Sequence, residues 1–238
     1  LVQLALENIS DMTLVLGAKC VDGISLIGDT KTVDLEGTYL GNEPKLYGEL
    51  SNVIFGCAGA LDMIHLFRRY VVGDVTSLRD SKTKKYTDAN FLQKLIEIMH
   101  LFRRVRRGED FSLTVMVARL HPSFSDLHVI DSQGRLDYQI NNDWITIGKA
   151  SHKANNLVKE EFTNKLSIKK FASLSYSVIK YLEDQHLDNS VGVGAGRPNI
   201  AYLYSDAQSV TEPTQQDWTD FEKSLPEYYT RFNKYSRP

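Results

Sequence analysis

A chain of 238 residues, 42% hydrophobic and 24% charged, is long enough to bury a large core and has the composition of one globular unit, which excludes disordered and fibrous classes. A formal charge of −2 gives no general pull toward nucleic acid or acidic membranes, so neither is expected as a partner. No run approaches the roughly 18 apolar residues of a membrane helix, and the first residues lack the pattern of an export signal. Cys20 and Cys57 sit in apolar strand-like runs, where a thiol packs as a small hydrophobe, so a reducing, cytoplasmic setting is expected. Met12 stands directly before Thr13. Residues 1–12 are therefore read as an extension, whether pro-segment, upstream read-through or authentic, ahead of a single domain over 13–238.

In chain order, TLVLGAK (13–19) and GISLIGDT (23–30) flank the turn-type tripeptide Val21-Asp22-Gly23 and predict a hairpin. Extended runs around Lys45–Tyr47 and over Asn52–Cys57, joined by a turn at Gly48–Ser51, complete an expected first sheet of about four strands. Helical spacing of apolar residues marks Ala60–Tyr70 and Asn90–Val105. Strand-like runs at 111–120, 125–131, 135–140 and 143–148 predict a second sheet. Helices follow over Ala150–Phe162 and Ile168–Leu182, then a strand at 199–206 and a polar helix from about Thr214. This order does not alternate as a doubly wound fold would. It predicts an α+β protein in which two mostly antiparallel sheets are covered by helices, a four-layer αββα sandwich.

Four residues carry the chemistry. Asp29 lies sixteen positions after Thr13, Lys45 sixteen further on, and Gly59 fourteen beyond that. A threonine hydroxyl is a poor nucleophile unless a base takes its proton, and a first-residue threonine offers its own α-amine, whose pKa of about 8 suits the task. A lysine ammonium nearby lowers the hydroxyl pKa, an aspartate holds that lysine charged and oriented, and a glycine N–H can reach a developing oxyanion. Taken singly, each of these residues has an ordinary structural use in a strand, turn or solvated surface; their joint spacing is what points to chemistry.

The Thr13–Gly59 region resembles the proteasome β-type peptidases, which place threonine, acid, lysine and glycine at these offsets. The resemblance implies the N-terminal-nucleophile (Ntn) hydrolase fold, a threonine endopeptidase acting on peptides or unfolded protein, and a ring, either a homo-oligomer or one built with proteasome-like partner subunits. Cys57 is similar in position to the residue that shapes the family's specificity pocket. The family's supporting serines are altered here. Gly148-Lys149-Ala150-Ser151 has lysine at one serine position, and Asp188-Asn189-Ser190-Val191-Gly192 has Ser190 one residue early. Asp188, Ser190 and Ser151 are the candidates for a rebuilt helper network. LVQLALEN (1–8) and TIGKAS (146–151) are similar to the noncatalytic α-type subunits, so a structural ring subunit is a second expectation and a stand-alone Ntn amidase a third.

Other signals are weaker. Gly192, Gly194 and Gly196 form a GxGxG before a strand rather than a helix and read as a turn. Arg103, Arg104, Arg106 and Arg107 cluster at a helix end. The six histidines lack metal-ligand spacing, so no metal and no cofactor are expected.

Overall fold

The structure, a computed structural model, describes residues 13–33, 38–50, 52–71, 91–105, 112–121, 124–137, 143–163, 165–194, 196–206 and 209–235. The extension over 1–12, Arg106, Arg107 and the end of the strand expected at 135–140 lie outside them. Among the described residues, eleven strands run in chain order: β1 (Leu14–Cys20), β2 (Gly23–Gly28), β3 (Lys31–Val33), β4 (Tyr39–Asn42), β5 (Leu46–Leu50), β6 (Val53–Gly59), β7 (Leu113–His121), β8 (Phe124–Ile130), β9 (Leu136–Asp137), β10 (Trp144–Gly148) and β11 (Asn199–Tyr204). The helices are α1 (Leu61–Tyr70), α2 (Phe91–Val105), α3 (Ser151–Glu161), α4 (Ile168–Asp184) and α5 (Gln215–Tyr235).

Two antiparallel sheets, ordered β10-β1-β2-β11 and β5-β6-β7-β8-β9, face each other. Side chains alternate across a strand, and β1 is apolar on both faces for that reason. Leu14, Leu16 and Ala18 pack with α3, α4 and α5, while Val15 joins Leu26, Leu46, Ile54 and Met116 between the sheets. On the outer side of the second sheet, Phe55 meets Phe67 of α1 and Phe91 of α2 with ring centroids 5.8 and 6.1 Å apart. The layers are thus helices, sheet, sheet and helices, and the αββα expectation is met.

Sheet membership differs from the order of strands in the chain. The β1–β2 and β5–β6 hairpins, expected side by side in one sheet, lie in opposite layers and recruit β10, β11 and β7–β9 from later in the chain. The short ribbon β3–β4, which the sequence reading missed, links the two layers. Gly48, expected in a turn, is inside β5. Two local signals fix helix starts. Asp22 of the β1–β2 turn accepts the Ile168 N–H at 2.7 Å and so caps α4. Thr214 and Asp217 exchange hydrogen bonds across the first turn of α5, the Thr214 N–H to Asp217 Oδ2 at 2.8 Å and the Asp217 N–H to Thr214 Oγ1 at 3.2 Å.

Candidate functional site

Thr13 immediately precedes β1 and is 1% exposed. Alternation places it on the inter-sheet face with Val15. On one side stands Gly148 at the end of β10, with φ of 103°. A Cβ there would lie 1.9 Å from the Thr13 carbonyl oxygen, so the bare backbone is what lets β10 close on this end of β1. On the other side stands Asp29. Its N–H donates to the Leu14 carbonyl at 2.9 Å, and its Oδ1 accepts the Leu14 N–H at 3.1 Å. The last rung of the β1–β2 ladder is therefore made half by a side chain.

Lys45 arrives from the segment before β5 and is 3% exposed, while Asp29 is fully buried. The Lys45 β-carbon lies 3.1 Å from where a Cβ on Gly28 would be, so Gly28 leaves room for the lysine across the end of β2. No salt bridge joins Lys45 to Asp29 among the described residues, and Asp29 Oδ2 has no hydrogen-bond partner there. The pair acts through space. Burial pushes the Asp29 carboxyl up to about 8, against the pull of Lys45 and of the Leu14 and Gly192 amides. Burial also lowers the Lys45 ammonium, against Asp29, Glu43 and Cys57.

The raised Asp29 value sets a sign. From its ordinary value of 3.8 up to about 8, the folded chain keeps a proton that the unfolded chain has released, so Asp29 costs stability as pH rises through that window. Asp29→Asn keeps an oxygen for the Leu14 N–H but cannot ionise. Its stability relative to wild type is expected to rise between about pH 5 and about pH 8, by at most a few kcal/mol at about 1.4 kcal/mol per tenfold change in proton affinity. Urea unfolding midpoints at the two pH values measure this, and equal pH slopes for the two proteins would rule it out.

Gly59 ends β6 with φ of 144°. The Ala60 N–H donates to the Ser112 carbonyl at 3.0 Å and the Cys57 N–H to the Lys45 carbonyl at 2.9 Å. The antiparallel ladder alternates, so the Gly59 N–H points away from β7, along the edge that Cys57 shares with Lys45. The β5 pairing has ended before that point. This leaves an amide donor two residues beyond the Cys57–Lys45 hydrogen bond, past the end of the ladder.

The three candidate helpers divide differently. Asp188 accepts the Ser190 N–H at 3.1 Å and a short hydrogen bond from its hydroxyl. The Lys153 ammonium of α3 lies 3.3 Å from the same carboxylate. Burial alone would raise the Asp188 carboxyl, but these partners outweigh it and hold it below the usual range. Ser151 opens α3, and its carbonyl accepts the Thr146 hydroxyl at 3.3 Å. Asp188 and Ser190 thus form one cluster with Lys153, and no hydrogen bond or ion pair links that cluster to Ser151 or to Thr13 among the described residues. Lys149, at the expected serine position, is exposed.

Sequence reasoning missed the Gly192 carbonyl, which accepts the Thr30 and Lys31 N–H groups at 3.2 and 3.1 Å and so braces the segment after Asp29. The GxGxG was the available signal. Gly192 and Gly194 have φ of 151° and 53°, and a Cβ on Gly194 would meet Tyr39 of the ribbon at 2.8 Å. A cleft of about 390 Å³ opens along β5 and β11, lined by Tyr47, Gly48, Arg68, Asn199 and Glu212 among others. Thr13, Asp29, Lys45 and Gly59 do not line it.

Two sandwiched antiparallel sheets covered by helices are the architecture of the Ntn-hydrolase fold. A solved structure of Anbu from Hyphomicrobium sp. strain MC1, a Gly-1 mutant, is similar at a TM-score of 0.73 and 12% identity, over 93% of this chain and 95% of that one. No family model and no curated protein matches the chain. These findings correct the resemblance to proteasome β-type subunits with α-type features: the structural likeness is to Anbu, and at 12% identity it establishes the fold alone. No helix among the described residues is long and apolar enough to cross a membrane.

Proposed function

We propose that this chain is a threonine-type Ntn hydrolase that cleaves peptide amides, with Thr13 as both nucleophile and base. The observation that supports the reading is the buried Asp29, which bonds the backbone of Leu14 directly after Thr13 and is electrostatically coupled to the buried Lys45. Thr13 Oγ attacks the scissile carbonyl while the Thr13 α-amine takes its proton and passes it to the departing amine. Water, deprotonated by the same amine, then hydrolyses the acyl ester and restores the hydroxyl. The Lys45 charge favours the alkoxide, and the Gly59 N–H meets the oxyanion.

Met12 precedes Thr13 in the sequence, and the reaction requires that bond to be absent in the working protein. A second reading, a noncatalytic chain of the same fold, is favoured by the 1% exposure of Thr13. Intact mass and N-terminal sequencing of the purified protein separate the two. Thr13 is expected as first residue, and an electrophile directed at N-terminal threonine is expected to add one equivalent to wild type and none to Thr13→Ala. A terminus that retains Met12, with no adduct, decides for the noncatalytic chain. Ring assembly with copies of itself or related subunits, which would confine hydrolysis to a chamber, belongs to the same proposal and is tested by the mass in solution. So does a cytoplasmic location, in keeping with Cys20 and Cys57 not being joined in a disulfide.

A further inference from the structure

Glu183 lies in the last turn of α4, with its side chain 17% exposed. Its Oε1 accepts two successive backbone N–H groups, from Val193 at 3.2 Å and Gly194 at 3.0 Å. A Cβ on Gly192 would lie 2.2 Å from the same oxygen, so the carboxylate is seated directly against the glycine backbone. Its other oxygen takes the Lys180 ammonium at 2.9 Å, which fixes the carboxylate from the helix side.

The opposite side of this turn faces the candidate site. The Gly192 carbonyl accepts the N–H groups of Thr30 and Lys31, the two residues that follow Asp29. The Thr30 hydroxyl donates to the Arg197 carbonyl at 3.1 Å. The Thr30 carbonyl in turn accepts the Glu43 N–H at 2.8 Å, two residues before Lys45. A single turn, braced by one carboxylate, is therefore bonded to the residues that follow Asp29 and, through Thr30, to the segment that leads to Lys45. Neither flank of this turn belongs to a regular strand or helix, so the hydrogen bonds named here are what register it.

We infer that Glu183 is a positioning residue for the Asp29–Lys45 pair, acting through the Gly192–Gly194 turn and Thr30. The inference rests on the functional reading above for its consequence in catalysis but not for its geometry. It assigns Glu183 no contact with substrate. Its part is to keep the backbone segments that carry Asp29 and Lys45 in place, and with them the burial of both side chains.

Two variants separate accepting hydrogen bonds from carrying charge. Glu183→Gln keeps an amide oxygen able to accept both N–H groups, whereas Glu183→Leu removes the acceptor. Native-state hydrogen exchange is measured at Thr30, Lys31, Val193 and Gly194, with Val115 and Val117 of β7 as controls. In Glu183→Leu the first four amides are expected to exchange about tenfold to a hundredfold faster, the scale of losing a charge-assisted hydrogen-bond pair, while the controls stay protected. Glu183→Gln is expected to restore most of that protection. The maximal rate of electrophile addition at Thr13 should fall in Glu183→Leu by a similar factor, with the half-saturating concentration unchanged, and recover in Glu183→Gln.

Unchanged protection at Thr30 and Lys31 in Glu183→Leu overturns the inference, as does equal loss in the two variants or equal loss at the β7 controls. If wild type forms no adduct, the functional reading fails by itself. The exchange pattern still decides whether Glu183 positions the segments that carry Asp29 and Lys45.

Discussion

Lys45→Met is expected to slow peptide hydrolysis and electrophile addition at Thr13 by about a hundredfold to a thousandfold, while leaving the fold at least as stable as wild type. The activity loss follows from removing the charge that favours the alkoxide, a contribution on the order of 3–4 kcal/mol in a buried site. The stability expectation follows from burial. The Lys45 ammonium is 3% exposed, has no salt bridge among the described residues, and is held below its ordinary pKa by desolvation. A methionine of similar length removes that cost and still packs over Gly28. Asp29 is not left as a bare buried charge, because burial already keeps its carboxyl protonated up to about 8. Steady-state hydrolysis together with urea unfolding tests both halves. A variant that hydrolyses at the wild-type rate removes Lys45 from the mechanism, and one that loses activity only by unfolding does the same.

Gly59→Ala is expected to destabilise the fold by about 3 kcal/mol and to abolish most hydrolysis in the fraction that stays folded. At φ of 144° an L side chain is strained. The added Cβ would also lie 2.2 Å from the Ser112 carbonyl oxygen and 2.8 Å from the Leu113 α-carbon. Both are backbone atoms, Ser112 directly before β7 and Leu113 its first residue, and cannot swing aside as a flexible side chain could. Relief must come from moving the end of β6, which shifts the N–H assigned to the oxyanion. Thermal and urea unfolding measure the first effect, and hydrolysis corrected for the folded fraction measures the second. A change in stability below about 0.5 kcal/mol would falsify the strain argument.

The two variants are complementary because one removes a buried charge and the other strains the backbone. Lys45 lies at the inter-sheet end beside Gly28, while Gly59 is anchored to β7 through Ala60 and Ser112. Loss of activity without loss of stability in the first, and loss of both in the second, is the pattern expected of a charge and of a backbone donor respectively.

Much of the architecture was legible in the chain itself. Leu14, Leu16 and Ala18 alternate with Val15 and Gly17, and the spacing of Phe91, Leu95, Ile98 and Met99 repeats with the helical turn; both patterns are local properties of the backbone. The turn at Val21–Gly23 was equally local. The offsets of Thr13, Asp29, Lys45 and Gly59 singled out Asp29 and Lys45, which the structure buries and couples beside the start of β1. The chain order could not say which strands would pair. Pairing of β1 with β10 and of β2 with β11 joins segments more than a hundred residues apart, and it is decided by which apolar faces bury each other. Nor could it give the state of the Asp29–Lys45 pair, because the burial that raises one and lowers the other arises only when the strands and loops that surround the pair pack together. Local chemistry thus set the strands, helices and turn residues of this protein. Sheet partnership, the brace from Glu183 and the charge balance at Thr13 were set by tertiary burial, which no local pattern encodes.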